Sequence, residues 1–539
     1  MRSSGLSRAT VLAIGLAVVH AVLAWIVRSP GLAWGEDDAA FLLLARDLQS
    51  FHYRELQDVL QPVHARFPPV FPAMLALVGK VTGNQLDVLL AFVGLCSAAS
   101  LFFLYDAARR TVGEEIALIA MALFALNPIA LVDAGSLMSE APFKLFISLA
   151  IWGVVRETEG TRYVLLAGAA TILAALTRTA GVVLIPALGI YWLLKRRFLW
   201  AMGLAVTSLS LVAWLGFAFN APEAFDRRLY VADLKGKDDD VSSQLARTLR
   251  GFVPRIRLYL LNYIPWTLSM PTIQGTPVDN AIWLAAVVVF GTVGLVALMK
   301  QWTIAALFLL SYGALLILWR FSFERLLRPI VPLMLIAILT GLSVIGKRFF
   351  PQYRRWAVVA LGAALAFGAL RRTAADVSSH LRCDRSAPAD SPSCWDRQER
   401  ELLKLAHWVR DSTPPDAVFF VSKERAFFVH SGRKSINQDR ALREDSTTIA
   451  DYLRSRGVSY TVLTPVGVMM HRHTALVRSA CRDFELVKRF SNRAMLLRLR
   501  PQTAPSDSAT ACVAAREFDP SDISELTSET RTELNNSRR

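Results

Sequence analysis

The sequence predicts a polytopic α-helical membrane protein with a small α/β domain beyond its last span, and three observations carry that reading. Of 539 residues, 53% are hydrophobic and only 19% charged, whereas soluble domains usually carry about 25% charged residues. Mean hydropathy is +0.37, and several apolar runs reach the roughly 20 residues that take a helix across a bilayer core. Basic residues, 60 against 44 acidic ones, gather in short loops between those runs. Together these features exclude an ordinary soluble enzyme. The net charge of +16 calls for no nucleic-acid partner, because cytoplasmic loops of membrane proteins carry such an excess.

About eleven spanning helices are expected, at 9–28, 86–107, 114–133, 139–156, 162–178, 180–195, 198–219, 281–300, 303–320, 327–346 and 356–370. The first apolar run is long enough to remain as a signal-anchor. Arg2, Arg8, Arg109, Arg110, Arg156, Arg162, Lys195, Arg196, Arg197, Lys300, Lys347, Arg348, Arg354 and Arg355 all fall on one side. The positive-inside rule makes that side cytoplasmic. An odd number of crossings then leaves the C-terminus outside, as in a multi-pass protein of the plasma (inner) membrane with a cytoplasmic N-terminus. Four cysteines, Cys383, Cys394, Cys481 and Cys512, lie in that outer part, and Cys96 stands alone in an apolar run. Four thiols allow three pairings, of which Cys383–Cys394 is the most local, and an oxidising compartment suits them.

The chain divides into a transmembrane domain (1–372), a linker (373–398), an extracytoplasmic α/β domain (399–500) and a polar tail (501–539) predicted to be disordered. Outer segments also include 29–85 and 220–280, the latter with the charged stretch Asp226 to Asp240 and an aromatic stretch from Tyr259 to Trp266. In the outer domain, 399–412 has helical apolar spacing, Ala417–Val421 and Tyr460–Val466 read as buried strands with Ile449–Arg456 a helix between them, and 484–490 with 494–500 as a hairpin. His471-Arg472-His473 reads as a solvated helix face.

The chemistry-bearing residues cluster in the outer loops. Glu36-Asp37-Asp38 stand just after the first span. Three adjacent carboxylates near a membrane repel one another, so at least one should have a raised pKa unless a cation offsets it. The plainer reading is a set of acids at a helix N-terminus, before Ala39–Leu48, where they suit the macrodipole. Further on, His64-Ala65-Arg66-Phe67-Pro68-Pro69 leads into an apolar helix too short to span comfortably, suited to lie along the interface. Glu140 opens an apolar helix, where the same macrodipole argument applies. Ionisable groups at membrane depth are nevertheless functional by default.

An acidic pair after the first helix, then a basic residue before Pro-Pro and an amphipathic helix, resembles the GT-C superfamily of polyprenyl-phosphate-sugar glycosyltransferases, in the branch of the protein O-mannosyltransferases and lipid A aminoarabinose transferases. Asn127-Pro128 with Ser136-Leu137-Met138-Ser139-Glu140, the turn Leu176-Thr177-Arg178-Thr179-Ala180-Gly181, and Arg325-Leu326-Leu327-Arg328-Pro329-Ile330-Val331-Pro332 are similar to three further family stretches in the same order. The resemblance implies a GT-C-like fold with interfacial helices in the first outer loop, and a catalytic base among Asp37, Asp38 and Glu36, with Asp37 first. The family pairs Asp with Glu where this chain has Asp37-Asp38, and Glu36 adds a third acid.

Elementary chemistry supplies a reason for the pattern. Breaking a sugar–phosphate bond leaves a lipid phosphate with added negative charge, which guanidinium groups stabilise. Arg66, Arg178, Arg320, Arg325 and Arg328 are the outer-side candidates, and Glu140, Ser139, His64 and Glu324 are further active-site candidates. A surface ion-pair cluster around Glu324 and a snorkelling Arg178 are the plain alternatives. The expected partners are a polyprenyl-phosphate sugar, membrane lipids and an extracytoplasmic acceptor. The metal is unknown: a divalent cation stays open, since some superfamily members use one and others rely on basic side chains. A lipid-linked sugar flippase or transporter is the competing function, although no internal repeat of the transporter kind stands out.

Overall fold

In a computed structural model of the protein, residues 7–32, 36–220, 241–270, 277–319, 322–436, 448–464, 466, 470–491, 494–502 and 509–518 are described. They form two compact units. One holds residues up to Ser29, Ala65–Met74 and Val81–Leu381; the other holds Pro30–His64, Leu75–Lys80 and the chain from Arg382 onward.

The first unit is a helical bundle. Six of its helices are long and apolar enough to cross a membrane: Arg8–Ile26, Leu86–Thr111, Phe198–Ala218, Trp283–Gln301, Glu324–Phe349 and Arg354–Leu381. A bent pair makes a seventh, and four further apolar helices have only 10–17 residues, so the expected eleven spans are not all matched by length. The predicted span 114–133 is broken. Glu114–Ala125 and Pro128–Ala134 meet at 67°, because Asn127 caps the second helix, its Oδ1 accepting from the N–H groups of Ile129 and Ala130 at 3.0 and 3.1 Å. Pro128 then occupies a first-turn position, where its missing N–H costs nothing. The last helix runs to Leu381 rather than stopping near 370, and so takes up the start of the expected linker. Residues 241–258, within the outer segment of the sequence reading, form a helix in which Val241, Leu245, Leu249, Phe252 and Ile256 recur at helical spacing and Pro254 is internal; a π-turn, Tyr259–Tyr263, follows it.

The helices Pro277–Gln301 and Val331–Phe349 pack backbone to backbone. A Cβ added at Gly341 would overlap the carbonyl oxygen of Phe290, and one at Gly294 that of Ala337. Small residues permit this approach where lipid supplies no hydrophobic drive between helices. Gly341→Ala should therefore lower stability by about 1–3 kcal/mol, the usual range for overpacking. A thermal melt in detergent unchanged from wild type would show that the helices separate freely.

The second unit is built on a five-stranded sheet of order β2-β1-β3-β5-β4. Its strands are β1 (Val418–Phe420), β2 (Ser435–Ile436), β3 (Val458–Leu463), β4 (Phe484–Ser491) and β5 (Ala494–Leu499). β1 pairs in parallel with β2 and β3, whereas β5 is antiparallel to β3 and β4. Alternation sorts the core into two layers. Phe419, Val462 and Leu496 pack with Leu402, Leu405, Ala406 and Val409 of helix Arg397–Ser412 on one face. Phe420, Leu463 and Leu497 pack with Ala450, Leu453, Val477 and Ala511 on the other. The segment Pro30–His64 joins the sheet edge, for Ser435 N–H donates to the Gln57 carbonyl at 2.9 Å.

Two expectations change here. Ala509–Glu517, in the supposedly disordered tail, is a helix with Ala511, Ala514 and Ala515 buried. Cys481–Cys512 ties it down, and Arg478 donates to the carbonyls of Ala515 and Phe518 at its C-terminus. The second disulfide is the local Cys383–Cys394. His473 is buried rather than solvated, its Nε2 2.9 Å from the Val462 carbonyl oxygen; burial pushes it down to about 4, with that carbonyl opposing.

Candidate active site

In the first unit, four local structures bring charged side chains together. Glu140 opens the helix Glu140–Val155 and is fully buried. Arg178 lies where Thr161–Thr177 ends and a 3-10 turn, Thr179–Val183, begins. Gly181 makes that turn possible, because a Cβ there would stand 2.6 Å from the backbone of Ala174. Arg325 and Arg328 sit on the two short 3-10 turns before Val331. Asp133 closes the short helix that Asn127 starts.

Arg178 Nη1 reaches Glu140 Oε1 at 2.6 Å and donates to Ser139 Oγ at 3.1 Å. Arg325 Nε donates to the same Glu140 oxygen. Arg328 Nη1 donates to Asp133 Oδ1 at 3.0 Å, and its Nε lies 3.5 Å from Glu324 Oε1. Lys144, one turn after Glu140, contacts Asp133 Oδ2 at 3.3 Å. The ion pairs fall into two sets, Glu140 with Arg178 and Arg325, and Asp133 and Glu324 with Arg328 and Lys144, with Arg178, Arg325 and Arg328 keeping partial side-chain exposure of 15, 27 and 11%. Glu324 does pair with Arg328, but at 5% exposure it is no surface acid. Arg178 is ion-paired rather than merely snorkelling.

Asp133 and Lys144 went unnoticed in the sequence. A lysine inside the apolar run 141–154 was the available signal, since a charge there needs a partner. Arg66 is exposed, its guanidinium over the Phe67 ring at 5.5 Å. Arg320 lies outside the described residues.

The acid triplet belongs to the second unit, where it forms the first turn of helix Glu36–Leu48. The macrodipole reading of these acids therefore matches their position. Asp38 is buried and Asp37 half-buried. Glu36 Oε2 accepts the Arg425 N–H at 3.2 Å, while Oε1 is buried without a hydrogen bond. Burial pushes the Glu36 carboxyl up to about 7 against the pull of Arg425 and Lys423. Nearby, Glu55 is gripped by the Arg425 fork at 2.9 and 3.2 Å and by His64 Nδ1 at 2.5 Å. Burial would raise Glu55, but Arg425 and His64 hold it well below the usual carboxylate range. His64, itself fully buried, is thus an acid's partner. Among the described residues no group of three or more His, Cys, Asp or Glu side chains could hold a metal ion.

The model of the family described as dolichyl-phosphate-mannose-protein mannosyltransferase matches residues 66–221. ArnT from Cupriavidus metallidurans, in the apo state, superposes with a TM-score of 0.57 at 14% identity, over 92% of this chain and 100% of that one. The same protein bound to undecaprenyl phosphate gives 0.54 at 13%, over 92% and 98%. The chain shares the fold of ArnT. A second protein, the Archaeoglobus fulgidus oligosaccharyltransferase complexed with zinc and sulfate, gives 0.54 at 12% identity over 86% of this chain and 69% of its own. No curated protein sequence matches. The GT-C resemblance read from motifs in the outer loops is therefore upheld at the level of the fold.

Proposed function

We propose that the chain is an integral-membrane inverting glycosyltransferase that moves a hexose or pentose from a polyprenyl-phosphate donor to an extracytoplasmic acceptor, such as a protein hydroxyl, lipid A or another envelope glycan. The observation that carries this reading is the convergence of Arg178, Arg325 and Arg328 on buried acids that fix their positions. Guanidinium groups held in advance need no reorganisation as charge develops on a departing phosphate. Arg66 and Arg320 complete the donor-binding set, and Ser139, Glu140 and Glu324 orient it.

Asp37 is the first choice of base, with Glu36 and Asp38 as alternatives; direct attack at the anomeric carbon inverts its configuration. Membrane domain 1–372 carries donor binding and domain 399–500 contributes acceptor contacts. The protein resides in the plasma (inner) membrane, N-terminus inside, and the two disulfides support an extracytoplasmic outer domain. Neither a divalent cation nor its absence is part of the proposal.

The test is to incubate purified full-length protein with a panel of undecaprenyl- and dolichyl-phosphate sugars and candidate acceptors, reading products by mass spectrometry. Transfer from at least one donor is expected. Donor binding without transfer from any of them would favour the flippase, and absence of binding would sink the reading altogether.

A further inference from the structure

On the helix Arg354–Leu381, Leu365, Ala369 and Thr373 are buried, while Phe367 and Leu370 are exposed. Arg372 lies on the border between those faces and is half-buried. Its Nη1 donates to the Trp266 carbonyl at 2.9 Å and to Ser269 Oγ at 3.3 Å. The guanidinium stands over the Trp266 ring, 3.9 Å from its centre. That ring is 54% exposed, whereas Ser269 is buried. These contacts fix the guanidinium but use only one nitrogen of its fork. Nε and Nη2, the edge that grips a phosphate with two parallel hydrogen bonds, form none among the described residues. Asp376 and Glu324 attract Arg372 electrostatically, yet among the described residues no carboxylate forms an ion pair with it. The stretch from Arg354 to Arg372 rises about 27 Å, close to the roughly 30 Å of a hydrocarbon core. With Arg354 and Arg355 at one membrane surface, Arg372 therefore stands at the other, at the depth of lipid phosphates.

We propose that Arg372, held by Trp266 and Ser269, binds the phosphate of a bilayer phospholipid, whose acyl chains lie against Phe367 and Leu370 deeper along the same helix. A fixed cation with its bidentate edge open matches a phosphodiester in both charge and shape. Trp266 suits the same boundary, since indole rings settle at headgroup level. The donor phosphate, in the reading above, goes to arginines braced by buried acids, and Arg372 has no such brace. The inference needs the membrane-spanning fold alone, so its failure leaves the transferase reading standing.

The test titrates phosphatidylglycerol into detergent-solubilised full-length protein and reads binding by native mass spectrometry, with diacylglycerol of the same chains as the phosphate-free control. Arg372→Gln should weaken phosphatidylglycerol about tenfold, the scale of one hydrogen bond to a charged group, and leave diacylglycerol unchanged. Trp266→Leu keeps the charge but frees the guanidinium, and should cost about threefold, the scale of an exposed cation–π contact. This second variant, altered at an exposed ring, serves should Arg372→Gln fail to fold. Wild-type phosphatidylglycerol affinity in Arg372→Gln, or in Trp266→Leu where that variant alone folds, would overturn the proposal and leave Arg372 as a tie between helix and turn. An equal loss for diacylglycerol would also overturn it, because the tails rather than the phosphate would then be what is bound. So would weakened binding of undecaprenyl phosphate by Arg372→Gln with phosphatidylglycerol unaffected, which would give the residue to the donor instead.

Discussion

Asp37→Asn should reduce sugar transfer by about 10²–10⁴-fold, the usual contribution of a positioned general base, with melting temperature and donor affinity little changed. The neighbouring Glu36 supplies the control, because its burial makes the pH profile diagnostic. A base accepts a proton only when ionised. Glu36 is pushed up to about 7 by burial, with Arg425 and Lys423 opposing, so a reaction run through Glu36 should accelerate as pH rises through 7. A reaction run through a carboxylate in the ordinary range is already fully ionised above about pH 5 and should show no such limb. The shift also has a stability sign: a carboxyl whose folded value exceeds its unfolded one favours the folded state at low pH and loses that contribution as pH climbs through about 7. Glu36→Gln should remove that dependence. Unimpaired transfer in Asp37→Asn, together with a limb near pH 7 that Glu36→Gln abolishes, would move the base to Glu36.

Much of the fold was legible because membrane helices and alternating strands leave strong patterns. Phe419 and Phe420, or Leu496 and Leu497, are adjacent residues on opposite faces of a sheet buried on both sides, and such short apolar runs bounded by turns read correctly as strands. The break at Asn127-Pro128 was missed because a cap and a first-turn proline are local signals submerged in a long apolar run. The C-terminal helix was missed for the opposite reason. It is a short Ala-rich stretch set in a polar tail, and its order comes from the Cys481–Cys512 bond and from Arg478, which are long-range partners. At the site, Glu140, Arg178, Arg325 and Arg328 were found as separate motifs, yet nothing in their spacing said that Arg325 would leave neighbouring Glu324 for Glu140, 185 residues away in sequence. Glu55 and Arg425 were missed outright, since 370 residues separate them.

Glu140→Gln is expected to have the largest effect on the first unit. Its carboxylate is fully buried and receives both Arg178 and Arg325 on one oxygen. An amide keeps the shape but removes the charge that lets two guanidinium groups share one place. Removing one partner of a buried ion pair typically costs about 3–5 kcal/mol, because the remaining charge is left uncompensated. Arg178 retains Ser139 Oγ as an acceptor, which cushions only a neutral hydrogen bond. The arginines should therefore move apart, and displacement of about 1 Å from the working geometry can cost about a hundredfold in rate. A marked drop in melting temperature in detergent together with at least that loss of transfer is expected. Glu140→Asp, which keeps the charge on a shorter stem, should recover stability more fully than activity, since the charge is restored while the reach to the guanidinium groups is not. Should Glu140→Gln melt like the wild type, the acid does not hold the two arginines, and their convergence would have to be credited to backbone geometry around Gly181 and Pro329 instead.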